Sequence, residues 1–202
     1  KMSRLWSETP SPVRPSAGDI AIYREFFQKS GRRKNILILG STPELRDLAA
    51  QEKNARIYVA DFSRAMLSAM SRLTQTADPA KEIWIEKNWL DLEFTKDPPD
   101  LIMGDLVLQQ VPPPLEAQLL EKICSLLAPD GTFIGRFQFL AADFSPGNAG
   151  RLIARAIERP VSDREKVLPL KLHVLWCSAD RKKRTGNLLL CKRPKKIALI
   201  FI

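Results

Sequence analysis

NILILGSTPELRDLAAQEKNARIYVAD, residues 35–61, reads as a buried strand, a glycine turn, a helix and a second buried strand. The apolar run 35–40 is too short for a helix and is closed by Gly40, and Pro43 suits the first turn of a helix running from about 43 to 53. RIYVAD at 56–61 repeats the strand signal and ends on an acid. Two strands buried on both faces and joined by a helix lie parallel, with a right-handed crossover.

The same alternation continues outward. A helix is predicted over 63–73, then EIWIEKN (82–88) and DLIMGDL (100–106) as strands, a helix over 114–127, and TFIGRFQF (132–139) as a fifth strand. The predicted fold class is α/β: a doubly wound, mostly parallel sheet with helices on both faces. Beyond Phe139, GNAGRLIARAIER (147–159) reads as a helix, and LKLHVLWCSA (170–179) fits a strand or a short helix. NLLLCKR (187–193) and IALIFI (197–202) read as an antiparallel edge pair.

Ahead of the first strand, residues 1–17 carry Pro10, Pro12 and Pro15 and are expected to be an extended lead-in without regular structure. Lys1 precedes Met2, which is the expected natural start. Asp19 is the expected N-cap of a helix IAIYREFFQK (20–29), closed by Gly31. Helical spacing puts Ile22, Phe26 and Lys29 on one stripe and Tyr23 with Phe27 on the next. The expectation is an N-terminal helical lid that turns Tyr23 or Trp6 toward a ligand cleft. Plain packing of all these aromatics is the equally weighted alternative.

The 202 residues are 45% apolar and 27% charged, the composition of one soluble globular domain. Within it we expect a lead-in and lid helix (1–31), a ligand-binding core (32–140) and a C-terminal region on the substrate side and sheet edge (141–202). No apolar run approaches the roughly 20 residues of a membrane-spanning helix, and no secretory signal opens the chain, so a cytoplasmic protein is expected. Cys124, Cys177 and Cys191 lack metal-ligand spacing and read as reduced, mostly buried thiols, with no metal site.

The net charge of +9 is local: residues 181–202 hold eight of the 32 Lys and Arg and no acid. That leaves 24 basic against 23 acidic residues elsewhere. A near-neutral body favours a solvated, aggregation-resisting edge over a nucleic-acid clamp at Arg181–Arg184 and Lys192–Lys196.

In an open parallel sheet, ligands bind beyond the carboxyl ends of the strands, at the switch point. Gly40 permits close approach there, with the hydroxyls of Ser41 and Thr42 beside it. Asp61 follows Gly40 by 21 residues, the spacing at which a carboxylate accepts both ribose hydroxyls of an adenosine cofactor. Capping of the next helix is its other reading. After the third strand, NWLDL (88–92) puts Leu90 and Asp91 where an adenine would sit, Asp91 accepting the exocyclic amine and Leu90 offering a backbone amide. His173, the one histidine, reads as structural.

Over roughly 35–139 the sequence resembles the class I S-adenosylmethionine-dependent methyltransferases. The resemblance rests on the Gly40 turn, VADFSRAML around Asp61, NWLDL, PPDLIMGDLVLQQV, and above all LLAPDGTFIGRF, which looks like the family's L-x-P-G-G-x turn before the fifth strand. GSTPE at 40–44 also resembles the first turn of a bacterial subgroup.

The resemblance implies a Rossmann-like, seven-stranded-type sheet and S-adenosylmethionine as cofactor. By position it implies Gly40, Ser41 and Thr42 near the methionine part, Asp61 on the ribose, Phe62 and Met66 beside the adenine, and Leu90 and Asp91 on its edge. It likewise implies Gly104 and Asp105 facing the sulfonium. Tyr23, Asp105 and Gln109 are the candidates to meet an acceptor, a small molecule being favoured over nucleic acid, with no membrane partner. No catalytic base is assigned.

The chain departs from the family at the first turn, which usually has three glycines and an acid two positions before the first. Here only Gly40 remains and Ile38 takes the acid's place. Asp105 or Glu44 is left to replace it, and spacing does not choose. A nicotinamide oxidoreductase is disfavoured by the missing G-x-G-x-x-G, while a non-catalytic binding module stays open.

Overall fold

Five strands follow the predicted order: β1 (Asn35–Leu39), β2 (Arg56–Asp61), β3 (Glu82–Glu86), β4 (Leu101–Asp105) and β5 (Thr132–Phe137). They come from a computed structural model, which describes residues 6–11, 13–31, 33–137, 174–177 and 196–201. Two later strands, β6 (Val174–Cys177) and β7 (Lys196–Phe201), extend the sheet to the order β3-β2-β1-β4-β5-β7-β6. All neighbours pair in parallel except β6, which runs antiparallel to β7.

The IALIFI run is thus a strand as expected, but its antiparallel partner is Val174–Cys177. Residues 187–193 and the helix expected at 147–159 lie outside the described residues, as does the basic stretch 181–195. Order reverses between β1 and β4, where Leu39 pairs with Gly104, so the Gly40 turn and Asp105 leave adjacent strand ends.

Among the described residues, four helices cover the sheet: α1 (Ala17–Lys29), α2 (Pro43–Ala49), α3 (Arg64–Ser71) and α4 (Glu116–Leu126). β1, β4 and β5 alternate their side chains between two covered faces, whereas β3 is partly exposed, with Ile83 in water. Ile36, Ile38, Leu101, Met103 and Ile134 pack with Tyr23, Phe26 and Phe27 of α1, Leu45 and Leu48 of α2 and Leu67 of α3. Leu37, Leu39, Ile102 and Phe133 pack on the other face with Leu119, Leu120 and Ile123 of α4. Each fully buried side chain of this size contributes roughly 1.5–3 kcal/mol, which is why these short strands need no alternation of polar residues.

Several local expectations change. Ser16, not Asp19, is the N-cap of α1, and Asp19 is the third helical residue of a capping box in which each satisfies the other's backbone amide. Gly31 does follow the helix with φ +63°, one residue past the C-cap Ser30. The lead-in is not wholly irregular: Trp6–Glu8 forms one 3-10 turn. Tyr23, Phe26 and Phe27 of the first helix belong to the core, so Tyr23 does not face a cleft. Cys124 is disulfide-bonded and so is no thiol.

The turn before β5 explains its own sequence. Asp130 has φ 61°, a left-handed conformation tolerated by Asp and free of strain only for Gly. Gly131 has no room for a side chain, since a Cβ there would stand 2.9 Å from the Ala128 carbonyl oxygen. We predict opposite signs in urea unfolding: Asp130→Gly stabilises by up to ~1 kcal/mol, and Gly131→Ala destabilises by ~1–3 kcal/mol. Equal effects would contradict this reading of the turn.

Candidate functional site

The carboxyl ends of β1, β2 and β4 and the turn after β3 form the site. Gly40 leaves β1 with φ +88°, its amide donating to the Ala60 carbonyl at 2.8 Å. Trp89, in the 3-10 turn Trp89–Asp91, donates its indole N–H to the same carbonyl, also at 2.8 Å. A Cβ on Gly40 would sit 3.8 Å from the Trp89 ring, so the indole forms the floor beneath the turn.

Asp61 ends β2 almost fully buried. Its Oδ2 accepts the Ser41 hydroxyl at 2.7 Å and its Oδ1 the Ser63 amide at 2.9 Å, while Ser63 itself caps α3 through Met66 N. Asp61 therefore supports the start of α3, and each carboxylate oxygen keeps a further lone pair for a ligand. Phe62, the next residue, is 74% exposed, an uncovered aromatic ring beside a buried carboxylate. Met66 is half-buried on the first turn of α3, and Asp91 is exposed.

Three expected contacts do not survive the geometry. The Leu90 amide is donated to Asn88 Oδ1 at 3.0 Å, because Asn88 caps the 3-10 turn, so it cannot serve an adenine edge; only the half-buried Leu90 side chain can. Both oxygens of Asp105 are held by Arg136, Nε to Oδ1 at 2.5 Å and Nη2 to Oδ2 at 2.8 Å, which turns this acid away from the sulfonium role. Tyr23 is fully buried; its hydroxyl donates to the Gly104 carbonyl at 2.7 Å and accepts the Arg136 amide at 2.9 Å, wedged between β4 and β5 and out of an acceptor's reach.

Gly104 is required by packing, since a Cβ would stand 2.6 Å from a Val107 methyl. Ser41 and Thr42 are buried at the Gly40 turn, Thr42 as the α2 N-cap without a side-chain bond. Gln109 is exposed in the 3-10 turn Leu108–Gln110 just beyond β4. The turn is set by Leu106, whose φ of 54° is strained for a leucine.

Arg136 gathers this end of the sheet. Besides Asp105 it donates to Asp19 Oδ2 at 3.2 Å, joining the α1 capping box to β4 and β5. Burial, and next the nearby Asp105 charge, push the Tyr23 pKa well above its ordinary value. Burial also raises that of Asp105, against the pull of Arg136, with Asp19 and Glu44 adding to the rise. Glu44, in the first turn of α2, accepts Trp6 Nε1 at 3.1 Å and Arg14 Nε at 2.7 Å on Oε1, fastening the lead-in, while its Oε2 is buried without a partner. Nothing in the local sequence around Glu44 signals its contacts with Trp6 and Arg14.

Residues 39–131, from the end of β1 to the turn before β5, match the family model of a methyltransferase domain. Over this stretch, less than half of its length, the chain is similar to the class I S-adenosylmethionine-dependent methyltransferases. Among solved structures, the methyltransferase fold aligns with the CcbJ methyltransferase of Streptomyces caelestis at 16% identity and TM-score 0.52, over 66% of this chain and 54% of that one. It also aligns with an N-methyltransferase of Haemonchus contortus, solved with phosphomonomethylethanolamine and S-adenosylhomocysteine, at 16% identity and TM-score 0.53, over 88% and 43% of the two chains. A Rhodobacter sphaeroides protein named for zinc-dependent alcohol dehydrogenases aligns at 17% identity and TM-score 0.50, over 65% and 50%.

At these identities the alignments show the fold, and the chain spans about half the length of these structures. No curated protein sequence matches the chain. No helix of the described residues is long and apolar enough to cross a membrane.

Removing the Tyr23 hydroxyl strands a buried carbonyl and a buried amide, so Tyr23→Phe is expected to cost ~1–3 kcal/mol in urea unfolding at neutral pH. The folded state holds the Tyr23 proton more tightly than the unfolded chain, so this stabilisation is lost as pH rises past about 10. In alkaline titration of the native protein, at most one of the two tyrosines should ionise before unfolding. Ionisation of both in the folded state would contradict the wedge.

Proposed function

We propose that the chain is a cytoplasmic enzyme that transfers a methyl group from S-adenosylmethionine to a small-molecule acceptor. One observation carries the reading: the exposed ring of Phe62 stands beside the buried Asp61 carboxylate at the carboxyl end of β2. An apolar ring left in water next to a carboxylate with open lone pairs suits the base and ribose of an adenosine. When bound, S-adenosylmethionine supplies a methyl group activated by its sulfonium, so the protein's part is alignment.

Asp61 accepts the ribose hydroxyls with the lone pairs that Ser41 and Ser63 leave open. Phe62 and the half-buried Met66 flank the base, and the exposed Asp91 receives its exocyclic amine. Gly40, with no Cβ above Trp89, lets the ligand close on the turn, where Ser41 and Thr42 hold the entrance to α2. Gln109 stands beyond β4, where it can orient an acceptor. Neither Tyr23, which keeps its proton, nor Asp105, which is held by Arg136, serves as the base there. The near-neutral body favours a small molecule over nucleic acid.

Calorimetric titration with S-adenosylhomocysteine, with NADH as control, tests this reading. The first should bind at micromolar concentration or below and the second not at all. Phe62→Ala, at an exposed position that leaves stability nearly unchanged, should weaken binding by several-fold, since an aromatic contact contributes about 0.5–1.5 kcal/mol beyond its buried area. Asp61→Ala should lose ~1.5–3 kcal/mol for each charge-assisted bond removed. Binding of NADH alone, or full affinity in both variants, would overturn the proposal.

A further inference from the structure

Resting on the cofactor reading above, we infer that Glu44 is the receptor for the α-ammonium group of S-adenosylmethionine, accepting it on Oε2 while Oε1 holds the lead-in. The acid that the family places on the first strand is absent, and the fully buried Ile38 occupies its position. Of the two carboxylates left to replace it, Asp105 has both oxygens committed to Arg136. Glu44 has one oxygen committed and one buried with nothing to accept. A buried acceptor without a donor costs as much as a lost hydrogen bond to a charged group, so such atoms persist where a ligand completes them.

Position and charge agree with the choice. Glu44 lies four residues past Gly40, in the first turn of the helix that opens from β1, and its charge is close enough to act on Asp105 at the neighbouring strand end. Among the described residues, the ion pairs at this end of the sheet join Glu44 to Arg14, and Asp19 and Asp105 to Arg136. Arg14 shares the carboxylate from its wetter side, its own side chain being 34% exposed against 18% for Glu44.

The test compares S-adenosylhomocysteine, its deaminated analogue and 5′-methylthioadenosine, which lacks the amino-acid part, by calorimetry on wild type, Glu44→Gln and Arg14→Ala. Wild type should bind S-adenosylhomocysteine about ten-fold or more tighter than the deaminated analogue, the range of a charge-assisted hydrogen bond. Glu44→Gln should lose that preference and leave methylthioadenosine affinity unchanged. Arg14→Ala should keep it.

Equal binding of S-adenosylhomocysteine and its deaminated analogue by wild type overturns the proposal, whatever the variants do. So does an equal loss for all three ligands in Glu44→Gln, or a loss in Arg14→Ala that copies it, since Glu44 would then act only through the lead-in. If wild type binds methylthioadenosine but does not read the ammonium, this assignment fails and the adenosine site stands. If it binds none of the three, the cofactor reading itself fails.

Discussion

Arg136 is a guanidinium without exposure, held between Asp105 at 2.5 Å and Asp19 at 3.2 Å. Breaking a buried pair of this kind by removing one partner costs about 3–5 kcal/mol, because the other charge is left in the core. Its neighbour in the sheet, the Arg136 amide, is taken by Tyr23, which also caps the Gly104 carbonyl. Through these contacts the first turn of α1, its middle, and the ends of β4 and β5 are fixed together. The helix that precedes the sheet in sequence thereby becomes one wall of the crevice at its carboxyl end.

That constraint decides what is left for a ligand. With Asp105 and Tyr23 consumed by the lock, the polar capacity the strand ends keep for a cofactor lies on the β1 and β2 side. There Asp61 is only half used, Phe62 stands in water, and Glu44 keeps one oxygen in reserve. The first turn needs one glycine: Trp89 supports Gly40 from below through the Ala60 carbonyl, and Gly40 takes the left-handed conformation that turns the chain.

The sheet was legible because β1, β4 and β5 are short apolar runs buried on both faces, and β2 and β3 repeat the β-rich pattern at the same spacing even though β3 is partly exposed. Asp61 was legible because its spacing from Gly40 is set by one βαβ unit. Helix ends were less so: Ala50 to Lys53 is good helical sequence, yet the chain must turn back to bring Arg56 beside Asn35, and the helix stops at Ala49.

The fates of Asp105 and Tyr23 were illegible for a different reason. Each depends on Arg136, more than thirty residues from either, and local pattern carries no record of so distant a partner. The same holds for Glu44, whose partners Trp6 and Arg14 sit in a lead-in that sequence alone describes as irregular.

The most direct test of the central claim, that an adenosyl cofactor lies across the ends of β1 and β2, is a crystal structure of the protein grown with S-adenosylhomocysteine. The account predicts the ribose on Asp61, the base against Phe62 and the amino-acid end toward Glu44, with the Arg136 pairs intact. Ligand density on the β4 side with Asp105 released from Arg136, or adenosine anywhere away from Asp61, would contradict it.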